Sequence, residues 1–201
     1  MSNLHLYPWE EFLKNKSSFK LFGYGSLINK FSSIFKFNNP KELEIVQAYD
    51  VKRVFNYYLD ENIRQRPVYK DLNRGEPYLA ALNIVEGDGY QANGVLFEVN
   101  SDEFPEFIKR EIGYNLIEIT YSPFGFRNSK RRFKCYTLSA PNDFKGKKLV
   151  DNDLLPNIPY YLLCRSGAEA VSKEFLDVWL NTTYLGTGQT AKIWENEANI
   201  F

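Results

Sequence analysis

Histidine and cysteine are scarce in this sequence, which has one His and two Cys among 201 residues. His5 lies near the N-terminus, and Cys135 and Cys164 are far apart, without the spacing of metal ligands or of a disulfide framework. We therefore expect free thiols and no metal site. A Ser–His–Asp triad or a Cys–His pair is excluded as well, because each needs a histidine beside its nucleophile.

Net charge and long apolar runs are also lacking. The chain has 25 basic and 25 acidic residues, so its composition does not indicate nucleic acid or an anionic membrane as a partner. No apolar run approaches the length of a membrane span, and the early charges Glu10 and Glu11 do not fit a signal peptide. We expect a cytoplasmic protein, of a size that fits one domain, and leave its oligomeric state open.

Aromatic residues are abundant, at 16% of the chain, which favours a β-rich core or a pocket lined with rings. The pattern predicts an α+β fold: a small mixed or antiparallel β-barrel of about six strands with flanking helices. We expect an appendage over 1–17, the domain over 18–181, and a tail over 182–201 that packs on the domain. Residues 44–59 are expected to form one long strand or two, with a bend at Asp50, followed by a basic surface excursion over 60–77 and a hairpin of 78–85 with 92–99. The later expectations are a helix capped by Ser101, a strand over 133–139, a polar loop over 140–157, and helices from Pro159 and after Ser172.

The stretch Phe22-Gly23-Tyr24-Gly25-Ser26-Leu27 follows an apolar run that is typical of the end of a buried strand. Glycines allow a sharp turn and a close approach of a ligand to the main chain. Successive N–H groups in such a turn can form an anion-binding nest. An ordinary turn is the alternative interpretation of these residues.

Two charged side chains stand out. Glu111 follows a short predicted helix and precedes a Gly and a Tyr, a place where a strand mouth can bury a carboxylate for general acid–base catalysis. A surface ion pair with Lys109 or Arg110 is the alternative. For Arg53 two interpretations stay open: pairing with a carboxylate as part of a site, or a structural ion pair. Lys130–Arg132 is interpreted as a solvated strand end.

Four fragments occur in order along the chain: Gly23–Leu27 (Gly-Tyr-Gly-Ser-Leu), Ala48–Asn56 (Ala-Tyr-Asp-Val-Lys-Arg-Val-Phe-Asn), Ala81–Ile84 with Gly94–Phe97, and Arg110–Tyr114 (Arg-Glu-Ile-Gly-Tyr). A weaker fifth is Pro159-Tyr160 before Gly167-Ala168. Over roughly residues 19–180 the chain resembles the γ-glutamylcyclotransferases. It departs from their pattern at Ala48, at Ile28-Asn29, where the glutathione-specific branch tends to have a Trp, and in the basic insert.

The resemblance implies a small β-barrel with flanking helices and an enzyme that needs no metal or cofactor. Such an enzyme cleaves a small γ-glutamyl compound through attack by the substrate's own α-amine, giving 5-oxoproline and a free amine. Glu111 would move the proton as the catalytic residue. The residues implied to bind substrate are Tyr24, Gly25, Ser26, Leu27, Tyr114 and Tyr160. A non-catalytic binding protein on the same fold is the alternative, and another acyl transfer or an isomerisation at this pocket is a weaker one.

Overall fold

The computed structural model describes residues 9–29, 43–59, 77–111, 113–125 and 131–198. In these residues the helices are α1 (Trp9–Leu13), α2 (Phe104–Arg110), α3 (Ile158–Val171), α4 (Lys173–Thr182) and α5 (Ala191–Glu197). The strands are β1 (Ser18–Gly23), β2 (Glu44–Tyr58), β3 (Tyr78–Asn100), β4 (Asn115–Pro123), β5 (Phe133–Ser139), β6 (Asp143–Phe144), β7 (Lys147–Lys148), β8 (Leu155–Pro156) and β9 (Thr183–Leu185). A 3₁₀ turn covers Ser26–Ile28.

Five strands close into a barrel in the order β3-β1-β5-β4-β2, and pairing of β2 with β3 completes the ring. The pairing of β1 with β5 is parallel, and the other pairings of the ring are antiparallel. β8 and β9 extend the sheet as parallel neighbours of β3 and β2. The predicted α+β barrel with flanking helices is thereby confirmed.

The long strands β2 and β3 bend together. Asp50 has a φ of 57° at a shift in the pairing register, as the predicted bend requires, and its Oδ1 accepts a hydrogen bond from the N–H of Gly89 (3.1 Å). Both halves of β3 pair with β2 rather than with each other. The predicted hairpin of 78–85 with 92–99 is therefore wrong, because the turn residues around Gly89 bend a continuous strand instead of reversing it.

The helices α3 and α4 begin at side-chain caps. Asn157 Oδ1 accepts a hydrogen bond from the N–H of Tyr160 (3.2 Å), and Ser172 Oγ accepts one from the N–H of Phe175 (3.0 Å). These caps satisfy N–H groups that have no partner within the helix. Both helices match the sequence prediction, whereas the predicted Ser101 cap is wrong, since α2 begins at Phe104 without a side-chain cap.

The terminal segments contact the barrel. Phe12 of α1 is buried against Phe19 (ring centroids 5.4 Å apart), and Trp194 of α5 is buried against Tyr161 (4.9 Å). The division at residues 17 and 181 remains a prediction. The segment 140–157, predicted as a loop, contains the β6–β7 hairpin and β8. Of the basic insert predicted over 60–77, residues 60–76 lie outside the described residues. None of the described helices is both long and apolar enough to cross a membrane.

Candidate active site

The turn after β1 is buried throughout residues 24–28. Hydrogen bonds from the N–H of Ile28 to Gly25 O (3.0 Å) and from the N–H of Asn29 to Ser26 O (3.2 Å) close it. Leu27 packs back on the strand, because Gly23 has no side chain there. Within the described ranges the N–H groups of Gly25 and Leu27 have no acceptor. A buried donor without an acceptor costs free energy, so this turn offers two donors to a bound anion or carbonyl oxygen.

Tyr24 lies at the end of β5, where its hydroxyl donates a hydrogen bond to Leu138 O (2.9 Å). Burial raises the pKa of this phenol, and the negative charge of Glu111 raises it further. Tyr24 therefore remains a protonated hydrogen-bond donor at neutral pH, within electrostatic reach of the Glu111 carboxylate.

Arg53, on β2, connects the turn to β3 and to the end of α4. Its fully buried guanidinium donates to Asn93 O (2.5 Å), Asn93 Oδ1 (2.9 Å) and Tyr24 O (3.5 Å), and to three acceptors at the end of α4. Those three are Trp179 O, Thr182 Oγ1 and Thr183 Oγ1. All six acceptors are neutral, so the predicted ion pair is wrong for the described part of the chain. Burial lowers the pKa of Arg53 to about 9.

Helix α3 brings Tyr160 to the turn. The Tyr160 hydroxyl lies 2.5 Å from the position that a Cβ on Gly25 would occupy. Behind it, a Cβ on Gly167 would lie 2.7 Å from the main-chain nitrogen of Asn29, and Asn29 Nδ2 donates weakly to Leu163 O (3.4 Å). The two glycines thus let the turn and the helix approach each other at backbone distance.

Glu111 and Tyr114 lie between α2 and β4. The Glu111 N–H donates to Phe107 O (3.0 Å), and the Tyr114 N–H donates to Glu111 O (3.1 Å) across Gly113, whose φ is +96°. Glu111 is partly buried, and the side chains of Lys109 and Arg110, its alternative partners, lie outside the described structure.

The surroundings of the Tyr114 hydroxyl connect Glu111 with the tyrosines near the turn. Part of the residue is exposed, yet burial is the main reason that the pKa of its hydroxyl lies well above the ordinary value. Tyr24, Tyr57, Tyr160 and Glu111 raise it further. Tyr114 therefore lies within electrostatic reach of three other phenols and one carboxylate. The structure brings together the predicted Tyr24, Glu111, Tyr114 and Tyr160.

Sequence reasoning missed Tyr57. Its ring lies 4.9 Å from that of Tyr114 at an interplanar angle of 33°, so it forms part of the same cluster. The β2–β3 pairing shifts register between Phe55 and Tyr57, and alternation along the strand therefore does not predict the side on which Tyr57 lies.

The cluster can transfer a proton through its carboxylate and donate hydrogen bonds from phenols and backbone N–H groups. Across the described ranges, no three His, Cys, Asp or Glu side chains lie together as metal ligands would. Ser26 and Leu27 are buried in the turn, and the turn contributes main-chain groups to this end of the barrel.

Three solved structures have a similar fold. A γ-glutamyl cyclotransferase superposes with a TM-score of 0.57 at 14% identity, covering 90% of this chain and 98% of its own. An uncharacterised protein from Homo sapiens gives 0.58 at 14% identity, with 92% and 99% covered. YkqA from Bacillus subtilis gives 0.54 at 18% identity, with 84% of this chain and 55% of its own covered.

By sequence, neither a protein-family model nor a curated protein matches the chain. The structural likeness therefore shows the fold: this chain has the γ-glutamyl cyclotransferase fold, as its sequence resemblance predicts.

Proposed function

We propose that the protein is a γ-glutamyl cyclotransferase that acts on a small γ-glutamyl compound. The observation that carries the proposal is that the Glu111 carboxylate lies within electrostatic reach of the Tyr24 and Tyr114 phenols, while the Tyr160 hydroxyl lies against the turn at Gly25. Two N–H groups of this buried turn have no acceptor among the described residues. The likeness of fold to a γ-glutamyl cyclotransferase supports it.

The reaction needs no protein nucleophile, because the attacking α-amine is tethered to the γ-carbonyl carbon. Intramolecular attack in a good orientation corresponds to effective molarities on the order of 10⁵–10⁸ M. The protein has to remove a proton from the amine, stabilise the oxyanion and protonate the leaving nitrogen. These tasks suit a carboxylate and a set of fixed donors, both of which the cluster contains.

In the proposed sequence Glu111 accepts a proton from the α-amine as the nitrogen attacks the γ-carbonyl carbon. The N–H groups of Gly25 and Leu27 stabilise the oxyanion of the tetrahedral intermediate. The bond from the γ-carbon to the leaving nitrogen then breaks, and Glu111 returns its proton to that nitrogen. The products are 5-oxoproline and the free amine, with no water consumed and Glu111 restored to its starting state.

The decisive assay measures 5-oxoproline release from γ-glutamyl amino acids, γ-glutamyl amines and glutathione. We expect turnover of at least one of them, and we expect Glu111→Gln to fold normally and to lose about 10²–10⁴-fold in kcat, the usual contribution of a general acid–base. Glu106→Gln is the matched control, because Glu106 is an exposed carboxylate on the preceding helix. Turnover like that of the wild type in Glu111→Gln contradicts the mechanism.

A binding protein without catalysis gives a different result in the same panel. In that case a γ-glutamyl compound raises the melting temperature while no 5-oxoproline forms from any of them. Melting curves with and without each compound therefore accompany the assay.

A further inference from the structure

The β6–β7 hairpin, Asp143–Lys148, lies at the rim of the tyrosine cluster. A Cβ on Gly113 would lie 3.8 Å from Phe144 Cδ1 and 3.8 Å from Leu149 Cδ1. Gly113 stands between Glu111 and Tyr114 in the chain, so the hairpin packs against the segment that carries both groups.

The base of the hairpin is fixed to the barrel. The N–H of Tyr58 donates to Leu149 O (2.9 Å), the N–H of Leu149 donates to Asn142 O (2.9 Å), and Val150 forms an isolated antiparallel bridge with Tyr57. The hairpin therefore stands in a defined position beside the Tyr57 and Tyr114 rings.

The two faces of the hairpin differ in charge. Residues directly opposite in an antiparallel pair share a face. Lys147 is opposite Phe144, the residue that packs towards Gly113, whereas Lys148 is opposite Asp143 on the other face. Lys148 is ion-paired with Asp151 (2.8 Å).

Two lysines remain without an acidic partner among the described residues. Lys147 is exposed and makes no ion pair there, and Lys145, at the tip, has its Nζ 5.3 Å from the centroid of the Phe144 ring. Both ammonium groups therefore belong to the side of the hairpin that Phe144 turns towards the cluster.

A substrate in this site has a fixed direction. The turn that would hold its γ-glutamyl head is buried, whereas Glu111, Gly113 and Tyr114 are partly exposed and the hairpin beyond them is exposed. With its head held in the turn, a substrate would extend its leaving group from the buried turn towards this more exposed segment and the hairpin that packs against it.

We propose that Lys145 and Lys147 form a cationic rim that binds the carboxylate of the leaving amino acid or peptide, so that the site prefers γ-glutamyl amino acids and peptides to γ-glutamyl amines. This inference rests on the proposed function and adds the class of leaving group and the residues that select it. A positive rim also attracts such an anion before it binds, and salt weakens that attraction.

The hairpin allows variants that change charge and keep the turn. Lys145 and Gly146 have φ of 52° and 77°, the pattern of a two-residue turn in which Asn is favoured at the first position. Lys145→Asn therefore removes the charge and tolerates the backbone. Lys147→Gln removes the second charge, and Lys148→Gln is the matched control on the opposite face of the hairpin.

The test compares γ-glutamyl-alanine with γ-glutamyl-ethylamide, which differ only in the carboxylate of the leaving group. For the alanine compound we expect each rim variant to raise KM about two- to fivefold, as for an exposed ion pair, and the double variant to raise it by about tenfold. In the rim variants, we expect KM for the ethylamide and kcat for both compounds to stay within about twofold of wild type. In Lys148→Gln, we expect KM and kcat for both compounds to stay within the same limit. The rise in KM should also shrink as salt is added.

Two results overturn the inference in different ways. If the rim variants change KM equally for both compounds, or if Lys148→Gln matches them, the rim does not recognise the carboxylate, although the proposed function stands. If the wild-type protein releases 5-oxoproline from neither compound nor from any other γ-glutamyl compound, both the proposed function and the inferred role of the rim are wrong. Melting temperatures of the variants identify any that fail to fold.

Discussion

Replacement of Arg53 tests whether the geometry of its guanidinium, and not its charge, holds the site together. The side chain is fully buried and donates hydrogen bonds to six neutral acceptors, among them Tyr24 O in the turn and both oxygens of Asn93. Lysine keeps the charge, but its single ammonium cannot reproduce the planar fork. Methionine keeps most of the volume and removes the charge.

The expected order of stability is wild type, then Arg53→Met, then Arg53→Lys. Methionine leaves Asn93 Oδ1 and Tyr24 O without this donor, at about 1–3 kcal/mol for each buried oxygen. Removal of the buried cation offsets part of this loss, because burial of the charge is unfavourable, as the pKa lowered to about 9 indicates. We therefore expect a net decrease of about 2–4 kcal/mol in the free energy of unfolding. Lysine keeps the unfavourable buried charge and makes fewer hydrogen bonds than arginine, so we expect its free energy of unfolding to fall by about 3–5 kcal/mol.

The measurement is urea unfolding followed by tryptophan fluorescence, since the guanidinium lies 5.2 Å from the ring centroid of Trp179. A loss of this size lowers the melting temperature by about 5–15 °C for a chain of this length. Lys52→Gln is the control, because Lys52 is partly exposed and its ammonium lies over the rings of Tyr90 and Tyr184, for an expected loss below about 1 kcal/mol. Stability of Arg53→Lys equal to that of wild type would refute the reasoning, because charge alone would then suffice.

Two further predictions concern the turn. Gly25→Val should lose most 5-oxoproline formation, because a Cβ at this position collides with the Tyr160 hydroxyl. Ser26→Ala should keep activity within about tenfold of wild type, because the turn is proposed to act through its main chain. A Ser26→Ala variant as inactive as Glu111→Gln would contradict this proposal. Gly167→Ala should destabilise by about 1–3 kcal/mol in urea unfolding, because its Cβ meets the backbone of Asn29, and an unchanged midpoint would argue against this close approach.

The sequence predicts those parts of the fold whose signals lie within a few residues. β5 has the predicted bounds, the bend at Asp50 is where it is expected, and Ser172 caps α4 through its own hydroxyl. Caps, turns and alternation depend on neighbours in the chain, and a single sequence carries that information in full. Two local predictions fail: the Ser101 cap, because α2 begins three residues later at Phe104, and the hairpin turn around Gly89, because both halves of β3 pair with β2.

The candidate site was accessible to sequence reasoning only through resemblance. The local pattern singles out Glu111 as a candidate acid–base, but Tyr114 and Tyr160 enter only through the resemblance, and no local pattern indicates that these residues lie near Tyr24. The structure shows the contacts that place them: α3 packs against the turn at Gly167, and the Tyr24 hydroxyl donates a hydrogen bond to Leu138 O at the end of β5. Tyr57 had no local signal because a shift in strand register precedes it.

The sequence by itself determined the class of fold, the glycine turn after β1, the helices that follow residue 157, and the absence of a histidine-based catalytic set. Only the tertiary structure decided that β2 and β3 pair along both halves to close the barrel, that Arg53 has neutral partners, and that a lysine-bearing hairpin stands beside Gly113. The physical reason is that these contacts join residues 22 to 130 positions apart, and their register depends on how the whole barrel packs rather than on any local periodicity.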